Sequence, residues 1–160
     1  MDTTTLLLTV ALSLLPISEL RGAIPFAVLR GVDLVPAALI GTAVNAMVPA
    51  IAYIFLSTLH RLFYRIGAYR RFFDRFVEKA RGKVHASVEK YGYWGLLAFV
   101  ALPLPVTGAW TGTLGAWVLG MERRKSMFAI MGGVVVAGVV VTILVAALGA
   151  GAKSIFFKSF

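Results

Sequence analysis

Two stretches of this 160-residue chain, Leu34–Leu59 and Ser126–Ala150, stay apolar for long enough to cross a bilayer. The hydrocarbon core is about 30 Å thick and takes about 20 helical residues. No other feature restricts the fold as much, because backbone in lipid must satisfy its own hydrogen bonds as a helix or a closed barrel. The composition agrees. The chain is 59% hydrophobic and 14% charged, against about 45–50% and about 25% for soluble domains. A soluble globule of this length has no interior large enough for that much apolar surface. Disordered and collagen-like classes fall for the same reason, and the absence of cysteine removes disulfide scaffolds. The expectation is an all-α integral membrane protein, one membrane domain over 1–160.

Two further apolar regions are interrupted. Leu6–Leu15 stops at Pro16, passes Ser18-Glu19-Leu20-Arg21-Gly22, and resumes as Ala23–Leu29. Trp94–Leu102 stops at Pro103, passes Pro105 and Thr107-Gly108-Ala109-Trp110-Thr111-Gly112, and resumes as Thr113–Leu119. Pieces of about ten residues are too short to span but suit re-entrant hairpins. Asp2 stands where a signal peptide carries positive charge, so the N-terminus reads as part of the membrane domain.

Charge decides between crossing and re-entering. Of the sixteen Lys and Arg, nine lie between Arg61 and Lys90, and three form Arg123-Arg124-Lys125. Short cytoplasmic loops are rich in Lys and Arg. Were each interrupted region a full crossing, the triplet would lie opposite the 61–90 linker. If each enters and leaves on one side, both basic blocks are cytoplasmic, and Asp2, Arg30, Asp33 and the C-terminus lie outside. The layout is therefore a first repeat over 1–59 (hairpin about 5–30, span 34–59), a linker over 60–92, and a second repeat over 93–160 (hairpin about 93–120, span 126–150). An offset of 89 pairs Pro16 with Pro105, Ser18 with Thr107 and Gly31 with Gly120. Each repeat crosses once, so the two are inverted, as in many secondary transporters.

In the linker, Leu62, Ile66, Tyr69, Phe73, Phe76, Ala80, Val84 and Val88 recur at helical spacing, with arginines and lysines on the other faces. This is a basic amphipathic helix suited to the membrane surface and to anionic lipid headgroups, bent at Gly67 and Gly82. The apolar segments account for the rest of the chain, so nucleic acid is not expected as a partner.

Candidate chemistry sits at the two polar breaks. Glu19 and Arg21 interrupt apolar sequence, where each ionisable residue costs at least about 2.5–3.5 kcal/mol on insertion scales. At a helix break both can reach one cavity, with Glu19 taking a proton or sodium ion and Arg21 fixing an anionic group. Gly22 and Pro25 restart a helix whose N-terminal amides suit an anion. The alternative is a structural ion pair closing the hairpin tip. In the second break, Thr107 and Thr111 supply hydroxyls, and Trp110 supplies an aromatic face and an N–H at membrane depth, able to stack a cation or close a gate. Gly108 and Gly112 supply exposed backbone or close packing. In the first span, Asn45 is placed to hydrogen-bond the hairpin backbone and Pro49 to kink the helix. Gly132, Gly133 and Gly138 mark tight packing against a neighbouring helix or a second subunit. With His60 and His85 isolated and no nucleophile elbow, P-loop or His-Glu-x-x-His motif, neither an enzyme nor a bound metal or cofactor is expected.

The strings Glu19-Leu20-Arg21-Gly22-Ala23-Ile24-Pro25 and Pro103-Leu104-Pro105-Val106-Thr107-Gly108-Ala109-Trp110-Thr111-Gly112 resemble the paired signatures of the small multidrug export protein family. Length and basic linker are similar too, so the resemblance covers nearly the whole chain. Family members carry Gly where Val106 stands, which bears on how tightly the second hairpin turns. The two-hairpin layout resembles, more distantly, the DedA (VTT-domain) superfamily, implicated in moving polyprenyl phosphates and other lipids. That resemblance implies a proton-responsive Glu19 and a phosphate contact at Arg21. DedA-like chains carry more acidic and arginine residues in the second hairpin, where Thr107, Trp110 and Thr111 stand here. The expected function is a small plasma-membrane transporter, ion-coupled, moving a lipid phosphate or drug-like amphiphile, and working as a homodimer or larger homo-oligomer. A channel and a purely structural membrane protein are the alternatives.

Overall fold

The computed structural model describes residues 2–58, 63–103 and 107–157, and among them every regular element is a helix. In chain order these are α1 (Thr3–Leu14), α2 (Glu19–Leu29), α3 (Leu34–Ala46), α4 (Val48–Thr58), α5 (Gly67–Ala101), α6 (Ala109–Val118) and α7 (Arg123–Phe157). Two stretches are long and apolar enough to cross a membrane, Leu34–Thr58 and Arg123–Gly149. The second starts three residues earlier than the hydropathy pattern suggests, so the basic triplet forms its first turn. The first is interrupted at Met47, where Met47 N–H turns back to Val44 O at 3.1 Å. Pro49, lacking an N–H and crowding the carbonyl four residues before it, accounts for the break.

α1, α2 and α6 have 12, 11 and 10 residues, about 15–18 Å each, or half a bilayer core. α1 and the last arm of α5 both end two residues before a proline, with the capping residue between. Leu15 (ψ 134°) precedes Pro16 and Leu102 (ψ 120°) precedes Pro103, and a following proline forces its neighbour out of the helical region. Each interrupted region then folds back on itself. α1 packs on α2 and α5 on α6. At the far end of the second region the Glu122 N–H donates to the Tyr93 hydroxyl at 3.3 Å, so the stretch returns to the end where it began. Asp2 and Arg30 bracket the first region. The Asp2 pKa is lowered chiefly by hydrogen bonding from Thr5, with a smaller pull from Arg30.

The repeat seen in the sequence recurs in the backbone. α2 ends with Gly31 N–H on Val28 O and Val32 N–H on Ala27 O. α6 ends with Gly120 N–H on Trp117 O and Met121 N–H on Ala116 O. Both are Schellman caps, with left-handed glycines at φ 83° and 66°, and all four pairs of positions obey the offset of 89.

The linker differs from expectation in two ways. Its helix runs unbroken through Gly82, opens at Gly67 and breaks at Gly92 (φ 57°, ψ −131°) instead. Part of its apolar stripe is also covered by protein, while Ile66 stays exposed. Phe73 packs with Leu56 and Leu114 and sets its ring edge-on to Trp117, while Val84 is sealed against Gly115. Arg65, Arg70, Arg71 and Arg75 remain exposed.

The interior joins both halves: Leu20, Ile24, Leu96, Val100, Ile130 and Val134 are fully buried in one cluster. Gly132, Gly133 and Gly138 of α7 serve contacts within the chain. A Cβ on Gly133 would lie 2.7 Å from both Leu97 O and Val100 Cβ, and one on Gly138 would strike Thr42. Polar side chains are buried beside this core while Leu39, Ile54, Phe128 and Ile143 face outward, the arrangement required when the surroundings are apolar.

Candidate functional site

The two breaks meet. Glu19, buried between the halves, accepts the Ala109 N–H at 3.3 Å and the Trp110 N–H at 3.2 Å, the first amides of α6. These are donors that a helix start leaves without partners, and the helix dipole favours a negative charge there. Two charge-assisted bonds, about 1.5–3 kcal/mol each, are of the order of the insertion cost of the charge. To reach them Glu19 adopts φ 49°, a left-handed backbone costing about 1–2 kcal/mol.

Arg21 reaches the other side of the same break. Its guanidinium donates to Thr107 O, to Thr107 Oγ1 at 3.2 Å and to Leu102 O at 3.0 Å. Leu102 is the residue at which α5 stops, so Arg21 brings positive charge to carbonyls left by a helix end. Thr107 Oγ1 donates to the same Leu102 oxygen at 2.8 Å. One carboxylate and one guanidinium from the first half thereby serve both ends of the broken helix in the second.

At the end of α1 the second half reciprocates through one side chain, beside two from the first half. Trp110, at the offset of 89 from Arg21, donates its indole N–H to Leu14 O at 2.8 Å, the last residue of α1. The Asn45 amide donates to Ser13 O at 2.8 Å, and Ser18 Oγ donates to Leu12 O at 2.8 Å. Three carbonyls at the end of α1 are so engaged by side chains. Asn45 therefore bonds the hairpin backbone as expected; its Oδ1 is buried and meets no donor among the described residues.

Gly108 lies between the two tips at φ 152°, and a Cβ there would collide with the Glu19 carboxylate. The residue is glycine because both its backbone and its neighbour demand it. Gly112 lets α6 close on Val100, 2.7 Å from where its Cβ would be. Thr111 is buried on α6.

Several expectations are corrected by this geometry. α2 restarts at Glu19, so Gly22 and Pro25 lie inside it, and the Gly22 amide is bonded to Ser18 O at 3.0 Å. Its amide is not open to an anion. Glu19 and Arg21 both make hydrogen bonds that run across to the opposite hairpin. Trp110 is turned to the end of α1 and does not present its N–H to a ligand. Val106, with Leu104 and Pro105, lies outside the described residues. The sequence reading also missed a polar stripe on α1: Thr5, Thr9 and Ser13 are buried, with Thr9 Oγ1 donating to Thr5 O and Ser13 Oγ to Thr9 O. The four-residue spacing of those hydroxyls was the available signal.

The family model described as "Putative small multi-drug export protein" matches residues 19–140, from Glu19 through α6 and the first half of α7. No curated protein and no solved structure matches the chain.

Proposed function

Because the chain belongs to the small multi-drug export family, we propose that it is a small membrane transporter working through the junction of the two broken helices. One observation carries this reading. The ionisable pair of the first apolar break is buried, and each member holds a helix end of the other half. The two interrupted regions are re-entrant hairpins, the two halves an inverted repeat, and the tips meet near the midplane, where such folds place their sites.

Glu19 is the coupling group. Ionised, it draws the Ala109 and Trp110 amides toward the first hairpin. Protonated, it loses the charge-assisted part of those bonds, and the hairpins part more readily. Opening exposes the α6 amides, now without their carboxylate, beside the Arg21 guanidinium. That set favours the anionic group of an amphiphile, such as a lipid phosphate, over a lipophilic cation. The cytoplasmic side of the plasma membrane carries the linker and basic triplet, with the exposed linker arginines on anionic headgroups and both termini outside. With two spans per chain, the working unit is a homodimer or larger.

The reciprocal helix capping favours a second reading, in which the pair only holds the fold together. Purified protein in proteoliposomes separates the two. Gln at position 19 still accepts hydrogen bonds but carries no titratable charge. Glu19→Gln is expected to keep its thermal stability within a few degrees and to lose proton-driven uptake. Coupled uptake equal to wild type overturns the proposal, and a folded, fully active Glu19→Gln, Arg21→Gln double variant leaves the structural reading standing. A thermal-shift panel identifies the substrate class, since ligand at about 100 times its Kd adds about 2.7 kcal/mol. Stabilisation by polyprenyl phosphate that is lost in Arg21→Ala supports the anion. Stabilisation by lipophilic cations lost in Glu19→Gln supports a drug-like substrate.

A further inference from the structure

A groove of about 350 Å³ opens on the outside of the molecule between the start of the 93–101 arm of α5 and the first turns of α7. Tyr93, Trp94, Leu97, Phe128 and Ala129 line it, with Lys125 at one end. Two large aromatic side chains are left uncovered there: Trp94 is 77% exposed and Phe128 74%. The groove lies away from Glu19 and Arg21 and does not depend on what passes between the hairpins.

Its chemistry changes along its length. Residues 122–125 carry three cations and one carboxylate at the head of an apolar span. Helical rise puts Ala129 about 6 Å deeper than Lys125. A cation therefore stands at the mouth, an indole beside it at the level where tryptophan prefers the headgroup region, and an aromatic and aliphatic wall lies below. A phospholipid has the same order of groups. Arg123 is already engaged over the Tyr53 ring at 5.3 Å. Lys125 is held by the Glu122 carboxylate at 2.6 Å, with both side chains at least half exposed. Exposed pairs of this kind are worth about 0–1 kcal/mol, so a phosphate can take Lys125 over at little cost. The Tyr93 hydroxyl, which accepts the Glu122 N–H, keeps its own hydrogen to donate. A second copy fits less well at this face, because residues 123–125 of one copy would meet the same cations of the other.

The geometry points to a binding site for one anionic glycerophospholipid, its phosphate on Lys125 and the Tyr93 hydroxyl and an acyl chain along Trp94, Leu97 and Phe128. Binding here ties the second hairpin to the second span at the bilayer surface.

Brominated lipids quench nearby tryptophan, and the difference between wild type and Trp94→Phe isolates Trp94. The full chain is reconstituted in phosphatidylcholine vesicles, with brominated phosphatidylglycerol or brominated phosphatidylcholine added in increasing fraction. Trp94 is expected to reach half-quenching at a several-fold lower fraction of the anionic lipid. Lys125→Gln removes one surface charge and is expected to weaken that preference about fivefold, with unchanged helix content. Arg70→Gln, Arg71→Gln leaves it as in wild type. Equal quenching by the two lipids overturns the site, as does a preference that survives Lys125→Gln or follows the linker arginines. Failure of either lipid to quench Trp94 also overturns it, and assigns the groove to a second copy.

Discussion

Gly108 is where the junction is least forgiving of a single atom. Its φ of 152° is open to glycine alone, and a Cβ would strike the Glu19 carboxylate that caps α6. Gly120 also has a positive φ, 66°, in the left-handed helical region, but open space around it. Gly120→Ala is expected to cost about 1 kcal/mol for backbone alone. Gly108→Ala is expected to cost about 1–3 kcal/mol in strain and to displace Glu19 as well. Thermal unfolding in detergent tests the difference. In a Glu19→Ala background the excess cost of Gly108→Ala should shrink, because the atoms it strikes are gone; a simple sum of the two losses would refute the contact. Trp110→Phe keeps an aromatic side chain but loses the pyrrole half of the indole, and with it the N–H on Leu14 O. Losing that bond and leaving the carbonyl without it is expected to cost about 1–3 kcal/mol in the same assay.

Helix by helix, glycines of one composition carry opposite predictions. Gly133 meets Leu97 O and Val100 Cβ at 2.7 Å, whereas its neighbour Gly132 meets only the flexible end of Leu97 at 3.2 Å. Gly133→Ala is expected to lose about 1–3 kcal/mol and Gly132→Ala to be nearly neutral. In the linker, Gly82 is helical with nothing near it, so Gly82→Ala should stabilise by about 0.4–1 kcal/mol. Gly92→Ala, at a backbone conformation closed to alanine, should destabilise. Helix melting followed by circular dichroism orders all four variants. These pairs also show where sequence reasoning stops. Composition marks Gly82 and Gly92 alike as weak points, and only the path of α5 out of the linker decides which one breaks. The helix ends at Leu15 and Leu102 were legible because a following proline acts locally. The Schellman glycines were legible as a matched pair because the repeat preserves their spacing. The stripe Thr5, Thr9, Ser13 stayed hidden inside a run that averages as apolar. The capping of one half by the other was invisible, since it exists only once the halves have docked.

For the molecule as a whole, the decisive question is which ends share a side of the membrane. If the two interrupted regions behave alike, as the repeat implies, two arrangements are open. If the interrupted regions cross, residues 2 and 70 share one side and residues 33 and 124 the other. If they re-enter, residues 2 and 33 share one side, and residues 70 and 124 the opposite one. The basic blocks favour the second arrangement. So does the Tyr93 hydroxyl beside the Glu122 amide, which returns the second interrupted region to its starting end. The chain has no cysteine, so single replacements can be labelled without background. Asp2→Cys, Asp33→Cys, Arg70→Cys and Arg124→Cys all fall on exposed residues. In intact cells a membrane-impermeant maleimide is expected to label positions 2 and 33. Positions 70 and 124 should react only after permeabilisation. Labelling that pairs 2 with 70 and 33 with 124 would make both broken helices full crossings. Glu19 and Arg21 would then remain at membrane depth, but the halves would no longer be inverted, and the midplane site would lose the symmetry that alternating access needs.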